Sequence, residues 1–323
     1  MIRALAPVIA ALLSAPAWSS APVESDAREW LERMSMAAHS LNYAGTFVYQ
    51  HQGRLEAMHV VHAMDAEGER ERLFSLTGPR REVLRDNQEV TCILGDRQAV
   101  MVNKSLPRTA FPISFPRELM QLEQNYRFEV LGEDRVAGLA CRVVEVQPRD
   151  RFRYGRRLCV HEDSHLLLSL EVTDPHGEVI EQVMFTSIEF PERIDPDVLL
   201  PDLNDAGFSF RHQPEQQPAR SDGAINSRWK VLRVPAGFML TDHGWHQLSA
   251  QDSGVEHWVF SDGLASVSVY IEKSQQAQDS YSGVTHRGAL NAYGTMVSGH
   301  YVTVVGEVPR QTVELIGASV RLR

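Results

Sequence analysis

The chain has 323 residues, of which 43% are hydrophobic, and its 42 acidic and 32 basic residues give a formal net charge of −10. An acidic chain does not attract phosphate backbones through its overall field, so composition argues against a nucleic-acid-binding protein. The length exceeds what one compact core usually accommodates, so we expect two domains.

The N-terminus has the three-part order of a secretory signal peptide. Arg3 precedes an apolar stretch over residues 4–13, and Ala15-Pro16-Ala17 fits the small-x-small cleavage rule. The apolar stretch is shorter than the ~18 residues that favour a membrane-spanning helix. We therefore predict a signal peptide over residues 1–21 and an exported, soluble mature protein.

Residues 22–203 read as one β-rich domain. A helix is predicted over Asp26–Leu41, capped by Ser25, because apolar residues recur at helical spacing. A short helix is predicted at Glu118–Gln124. The predicted strands, rich in β-branched and aromatic residues and separated by turn residues, are Tyr43–Gln50, Leu55–Ala63, Arg70–Leu76, Arg81–Arg85, Glu89–Leu94, Ala99–Asn103, Tyr126–Glu133, Ala140–Gln147, Arg156–His161, Leu166–Asp174 and Val179–Glu189.

Composition changes after residue 203. Residues 204–227 are rich in Pro, Gln and Ser, which is typical of a linker. Residues 228–323 predict a smaller β domain that ends in a helix at Gln311–Val320. Its predicted strands are Trp229–Val234, Met239–His246, Val255–Ser261, Ala265–Glu272, Thr285–Tyr293 and His300–Val305.

These elements predict an α+β, β-rich protein. A sheet with so many short strands must curl or form layers. We expect a large antiparallel sheet curled around the helices, followed by the small sheet domain with its terminal helix.

One motif suggests zinc chemistry. The five residues His161 to His165 fit the H-E-x-x-H pattern, which requires a helix to aim both imidazoles at one metal. Strands are predicted on both sides, and Asp163-Ser164 is a turn pair. We therefore predict no metal site here. No nucleophile elbow, dinucleotide fingerprint or phosphate loop is present in the sequence, so we predict no catalytic residue and no cofactor; an envelope hydrolase with a Ser-His-Asp triad assembled in space is the enzyme alternative.

The three cysteines cannot all pair within the chain. Cys141 and Cys159 lie on two arms of a predicted hairpin. They are the disulfide candidates if the register brings them together.

Local basic clusters at Arg80-Arg81 and over residues 149–157 fit an acidic peptide or lipid phosphates, or equally a solvated hairpin tip. Large apolar side chains on the strands fit either a filled core or a pocket for an acyl chain. The cavity candidates, selected for size and strand position, are Phe47, Tyr49, Phe74 and Met101.

Ordered strings carry a family resemblance. The first domain has Gly45-Thr46-Phe47-Val48-Tyr49 and Arg153-Tyr154-Gly155, and the second has Val234-Pro235-Ala236-Gly237-Phe238, Ser261-Asp262-Gly263-Leu264 and residues 302–309, Val-Thr-Val-Val-Gly-Glu-Val-Pro. This set resembles the MucB/RseB family over nearly the whole mature chain, and is closer to the MucB branch.

The resemblance implies a periplasmic negative regulator of an envelope-stress sigma factor. It implies an unclosed, lipoprotein-carrier-like barrel over residues 22–203 and a small domain over residues 228–323 that binds the periplasmic part of an inner-membrane anti-sigma factor of the MucA/RseA type. Binding shields that factor from proteolysis, and lipopolysaccharide or another lipid promotes release. A linker over 204–227 would let the two domains reorient.

The contact surface is predicted in the second domain. The candidates are Trp258, Phe260, Asp262 and Tyr270. A homo-oligomer stays possible, and the alternative function is a periplasmic lipid or lipoprotein carrier.

Overall fold

The computed structural model describes residues 23–87, 89–94, 99–103, 115, 119–201, 209–212, 227–246, 254–273 and 282–323; the side chains of residues 23–26, 99–103, 209–212 and 246 are outside the description. The predicted signal peptide at 1–21 and most of the predicted linker lie outside these residues. Among the described residues, no helix is both long and apolar enough to cross a bilayer.

The first domain opens with helix α1, Val23–Ser40. Ala27, Leu31 and Met34 lie on one face and are buried, which explains why the apolar stripe predicts this helix. The helix begins two residues before Ser25, so Ser25 is not its N-cap as predicted. A 3-10 helix at Leu119–Gln124 adds Leu119 and Leu122 to the same core.

In the part of the chain that the structure describes, twelve strands form one open sheet in the order β12-β6-β5-β4-β3-β2-β1-β11-β10-β9-β8-β7. The bounds are β1 Tyr43–His51, β2 Arg54–Asp65, β3 Gly68–Ser75, β4 Arg81–Asp86, β5 Glu89–Leu94, β6 Ala99–Asn103, β7 Tyr126–Val136, β8 Leu139–Pro148, β9 Gly155–His161, β10 Leu167–Thr173, β11 Val179–Glu189 and β12 Ser209–His212. All pairs are antiparallel except β6 with β12.

The predicted linker is partly ordered as a strand. β12 lies inside residues 204–227 and pairs in parallel with β6 at the sheet edge. A second 3-10 helix, Pro196–Leu199, buries Leu199 against Ala44, Val61 and Ala63 on the face of the sheet that points away from α1.

The second domain is a six-stranded sheet in the order β14-β15-β16-β19-β18-β17, with a two-stranded pair β13-β20. The bounds are β13 Trp229–Val231, β14 Met239–His246, β15 Val255–Ser261, β16 Ser266–Lys273, β17 Gly283–Arg287, β18 Leu290–Val297, β19 His300–Gly306, helix α2 Arg310–Gly317 and β20 Val320–Leu322. Val313 and Ile316 of α2 pack on the sheet core.

Two predictions in this domain are wrong. The strand predicted over Thr285–Tyr293 is two strands, because the chain turns at Gly288, which has φ +59°. The helix predicted over Gln311–Val320 ends at Gly317, and Val320 starts β20. The predicted fold class, an unclosed β-rich first domain and a small sheet with a helix, is confirmed.

Candidate functional site

The two halves of the large sheet differ in how they are filled. We call the side of the sheet that faces α1 the inner face. Over β7–β10 it is covered by α1 and the first 3-10 helix, and Val144, Leu158 and Val160 are fully buried there. This half is a filled core.

The half formed by β1–β6 is less covered. Backbone register aligns one apolar row across it, which we call the open row: Val60, Leu73, Val83 and Cys92, continued by the position of Met101. Val60 is fully buried, whereas Leu73, Val83 and Cys92 are half-buried. The cavity candidate Met101 therefore stands in the open row by register, and its side chain is outside the described residues.

Phe47 lies beside the open row at its covered end. Its ring is 1% exposed and meets Phe185 edge-on, with 5.8 Å between ring centroids. Phe47 pairs with Met58, which is half-buried on the same face.

Phe74 does not belong with these residues. Phe47 pairs with Met58 and Met58 with Ser75, so Phe74 points to the opposite face of the sheet. There its ring lies 4.7 Å from the Arg72 guanidinium carbon. The structure thus corrects its selection as a cavity residue, since size and strand position do not reveal the face.

A cluster of ionisable groups borders the open row near α1. His62 Nδ1 donates to the Leu41 carbonyl at 2.7 Å, and His39 and His62 lie 2.9 and 3.3 Å from Glu69 Oε1. Hydrogen bonds from His39 and His62 hold the pKa of Glu69 far below its ordinary value. Burial instead raises the pKa of the neighbouring Glu71.

A second charged group borders the opposite side of the open row. Arg81 is ion-paired with Glu56, and His51 Nε2 lies 3.6 Å from the same carboxylate. The open row is therefore an apolar strip between polar groups. Such an arrangement suits an amphiphile, because an acyl chain and its polar head need different surroundings.

Tyr49 lies between the inner face of the large sheet and the second domain. Burial and a hydrogen bond to Glu181 hold its pKa well above the ordinary value. The same carboxylate accepts the Ala289 backbone N–H at 2.6 Å. Tyr49 thus belongs to the junction between the domains.

The centre of that junction is Arg153, which is 0% exposed. Its Nε donates to Asp262 Oδ2 at 2.5 Å, and its terminal nitrogens donate to Asp150 and to the Ala236 carbonyl. Tyr126 also donates to Asp262 Oδ2, at 3.0 Å. The guanidinium carbon lies 4.9 Å from the Phe238 ring centroid.

Three of the four partner-surface candidates are therefore placed elsewhere. Trp258 and Phe260 are 5% and 6% exposed and belong to the core beneath α2. Asp262 is buried at the junction, with 0% side-chain exposure. The alternation of Trp258 and Phe260 with polar residues correctly predicts that the two side chains share one face of a strand. It does not show whether that face is covered.

Tyr270 remains on the outer face of the small sheet. It is half-buried and stacks on His257, with 4.3 Å between centroids and an interplanar angle of 2°. By register it lies opposite to Val267, Val269 and Ile271, which are buried under α2.

The basic cluster of residues 149–157 is divided by the fold. Arg153 and Arg156 are buried at the junction, and Arg156 donates to the Leu264 carbonyl at 3.4 Å. Arg157 points outward and pairs with Glu145 and Glu171. The role of Arg153 is not evident from the sequence, although Arg153-Tyr154-Gly155 and Ser261-Asp262-Gly263-Leu264 both carry the family resemblance.

The cysteines and the H-E-x-x-H residues also have defined places. Cys141 and Cys159 are joined by a disulfide, with 5.5 Å between Cα atoms, on the face opposite to Leu158.

His161 ends β9, and the next residues form a turn in which its Nδ1 lies 2.7 Å from Ser164 Oγ. Among the described residues, no three His, Cys, Asp or Glu side chains are grouped to hold a metal ion.

Comparison with known proteins gives consistent matches over both domains. The family model for the MucB/RseB N-terminal domain matches residues 26–203, and the model for the MucB/RseB C-terminal domain matches residues 224–321. The sigma factor AlgU regulatory protein MucB of Pseudomonas aeruginosa is 31% identical, over 97% of this chain and 95% of that protein. The sigma-E factor regulatory protein RseB of Escherichia coli K12 is 25% identical, over 90% of this chain and 89% of that protein.

Solved structures agree. The complex of Pseudomonas aeruginosa MucA and MucB matches with a TM-score of 0.72 at 27% identity, covering 92% of this chain and 99% of that one. A crystal structure of MucB in complex with MucA(peri) matches with a TM-score of 0.71 at 28% identity, covering 92% and 99%.

Proposed function

This chain belongs to the MucB/RseB family, and from that premise we propose that it is a periplasmic regulator that acts by binding the periplasmic part of an inner-membrane anti-sigma factor. Bound there, it shields the factor from regulated proteolysis and keeps the sigma factor inactive. The observation that carries the proposal is the match of both domains, in order, to relatives named as sigma-factor regulators.

The similarity to MucB solved with MucA(peri) supports a MucA-like partner. Tyr270 is the remaining sequence candidate for the contact. It lies on the face of the small sheet opposite to α2, and a half-buried aromatic side chain is a frequent anchor in protein interfaces.

Calorimetry and gel filtration with the mature protein and the periplasmic segment of the anti-sigma factor test the proposal. We expect a stoichiometric complex that protects the segment from the protease that makes the first cut. Absence of both heat and co-elution would refute the proposal.

The contact face is tested by Tyr270→Ser. We expect about a tenfold loss of affinity if Tyr270 is an anchor. The matched control is Trp245→Ser, because Trp245 is 62% exposed and lies on the other face of the same sheet. Equal effects of the two substitutions would count against Tyr270.

We further propose that an amphiphile with an acyl chain, such as lipopolysaccharide, binds along the open row and promotes release of the partner. The half-buried apolar side chains between two charged groups support this proposal. A ligand releases a partner only if it binds the free state more tightly than the complex. Unchanged partner affinity at saturating lipid A would refute this part alone.

A further inference from the structure

The two domains are joined by a buried ion pair that has no exposed side. The side chains of Arg153 and Asp262 are both 0% exposed. Arg153 comes from the loop before β9, and Asp262 comes from the turn between β15 and β16. Removing Arg153 leaves the buried carboxylate of Asp262 without a counter-charge, and removing the Asp262 charge takes away the charged acceptor of the buried Arg153 Nε; both changes are unfavourable.

Asp262 is held so that its carboxylate can serve both domains. Its Oδ1 accepts the backbone N–H groups of Leu264 and Ala265 at 2.9 and 2.7 Å, which fixes its own turn. Its Oδ2 accepts Arg153 and Tyr126, both from the first domain. One oxygen therefore fixes the position of the side chain, and the other holds the opposite domain.

The guanidinium group of Arg153 likewise donates hydrogen bonds to both domains. Besides Asp262 it contacts Asp150 of its own domain and the Ala236 carbonyl of the second domain. Gly237 follows Ala236 with φ +83°, and an added Cβ there would lie 2.3 Å from Asn125 Nδ2. A side chain at position 237 would therefore be strained at this φ and would require Asn125 of the first domain to shift.

Three further contacts lie around the ion pair. The Ala289 N–H donates to Glu181 at 2.6 Å, Asn291 Nδ2 donates to the Tyr154 hydroxyl at 2.9 Å, and Thr312 Oγ1 donates to the Phe152 carbonyl at 2.8 Å. Each comes from a different element of the second domain. Together with the ion pair they define one arrangement of the domains.

We infer that Arg153, Asp262 and Tyr126 form a latch that holds the two domains in one arrangement, and that any reorientation of the domains requires this latch to open. Because a half-broken buried pair is unfavourable, the latch has two states, closed or open. The linker predicted over residues 204–227 would permit movement, and the latch prevents it.

Tyr49 and Glu181 connect the open row to the latch region. Tyr49 is two residues from Phe47 on β1, and its partner Glu181 also holds Ala289 of the second domain. A ligand on the inner face that displaces Tyr49 would loosen this contact. This coupling rests on the proposed function, whereas the latch itself does not.

Asp262→Asn is the sharpest variant, because the amide oxygen can still accept the two backbone N–H groups while the charge is lost. Tyr126→Phe is a milder variant that removes one hydrogen bond. Arg157→Met is the control. Arg157 lies in β9, directly after the loop that carries Arg153, but its side chain points outward to surface carboxylates.

Small-angle X-ray scattering on the mature protein measures the arrangement. We expect the maximum dimension of Asp262→Asn to exceed that of the wild type, with separate melting of the two domains, and a smaller change for Tyr126→Phe. Arg157→Met should scatter like the wild type. Circular dichroism establishes that each variant is folded. Scattering curves that match the wild type in both latch variants would overturn the inference.

The partner assay separates the two proposals. If Asp262→Asn opens and its affinity for the anti-sigma segment changes by tenfold or more, the latch controls binding. If it opens and affinity is unchanged, the latch stands and the coupling fails. If even the wild type binds no segment, the proposed function fails while the scattering result still decides the latch.

Discussion

The two halves of the large sheet share one backbone architecture but use their inner faces differently. Leu158 in the β7–β10 half is 0% exposed under α1, whereas Leu73 in the β1–β6 half is half-buried. A single sheet thus provides a scaffold in one half and an accessible apolar surface in the other. Stability and binding are therefore expected to depend on different strands.

The largest contrast should come from the same substitution in each half. Leu158→Ala removes a fully buried side chain and should lower the free energy of unfolding by about 4 kcal/mol, because a cavity remains. Leu73→Ala removes a half-buried side chain and should lower it by about 1 kcal/mol. Urea denaturation measures both, and equal losses would remove the distinction between the halves.

Loss of the disulfide should weaken the filled half next. Cys141 and Cys159 are 18 residues apart, so the bond restricts the unfolded chain and is worth about 3 kcal/mol. The double variant Cys141→Ser, Cys159→Ser should melt at lower temperature, and Cys92→Ser is the control because Cys92 is a free cysteine. An equal melting temperature for the double variant and the wild type would contradict this expectation.

Binding should respond in the open half. Leu73→Gln places an amide in the open row and should weaken binding of a fluorescent fatty-acid analogue by about tenfold, because a polar group must then be covered by an acyl chain. The expected change in stability is small. Thr91→Gln, on the other face of β5, is the control. If the two variants bind the probe equally well, the open row is not the lipid surface.

The smallest effect concerns pH. Burial raises the pKa of Glu71 above its ordinary 4.5, with Tyr43, Glu69, His39, His62 and Arg85 as the charged and titratable neighbours. The folded state therefore holds a proton that the unfolded chain releases above about pH 4.5, so this group reduces stability as pH rises through the raised pKa. Glu71→Gln cannot titrate and should melt at a higher temperature than the wild type at pH 7, with the difference fading below pH 4.5. Melting curves of both proteins from pH 4 to 8 measure this, and a constant difference would exclude Glu71 as the cause.

Local patterns predicted most strands, and long-range contacts explain what they missed. β5, β6, β11, β14 and β15 have the predicted bounds, because alternation and turn residues act within a few positions. The sequence predicts a linker where β12 forms, since the pairing of β12 with β6 joins segments about 110 residues apart.

The candidate site was harder to predict for the same reason. Strand periodicity gives the two faces of a strand but not which of them is covered, so it predicts Phe74 in the cavity and Trp258 on a surface, and both predictions are wrong. Arg153 and Asp262 are 109 residues apart, and no local pattern connects them. The family strings marked both residues, although not their contact.

Strand β12 has a consequence for how the molecule behaves once its domains separate. Because β12 is anchored on the first domain, the chain length from His212 to Ser227 limits the separation of the domains to about 50 Å at full extension. The separated domains would still meet at an effective concentration in the millimolar range. Closure would then be an intramolecular, concentration-independent event, and an opened molecule would reset without any other protein.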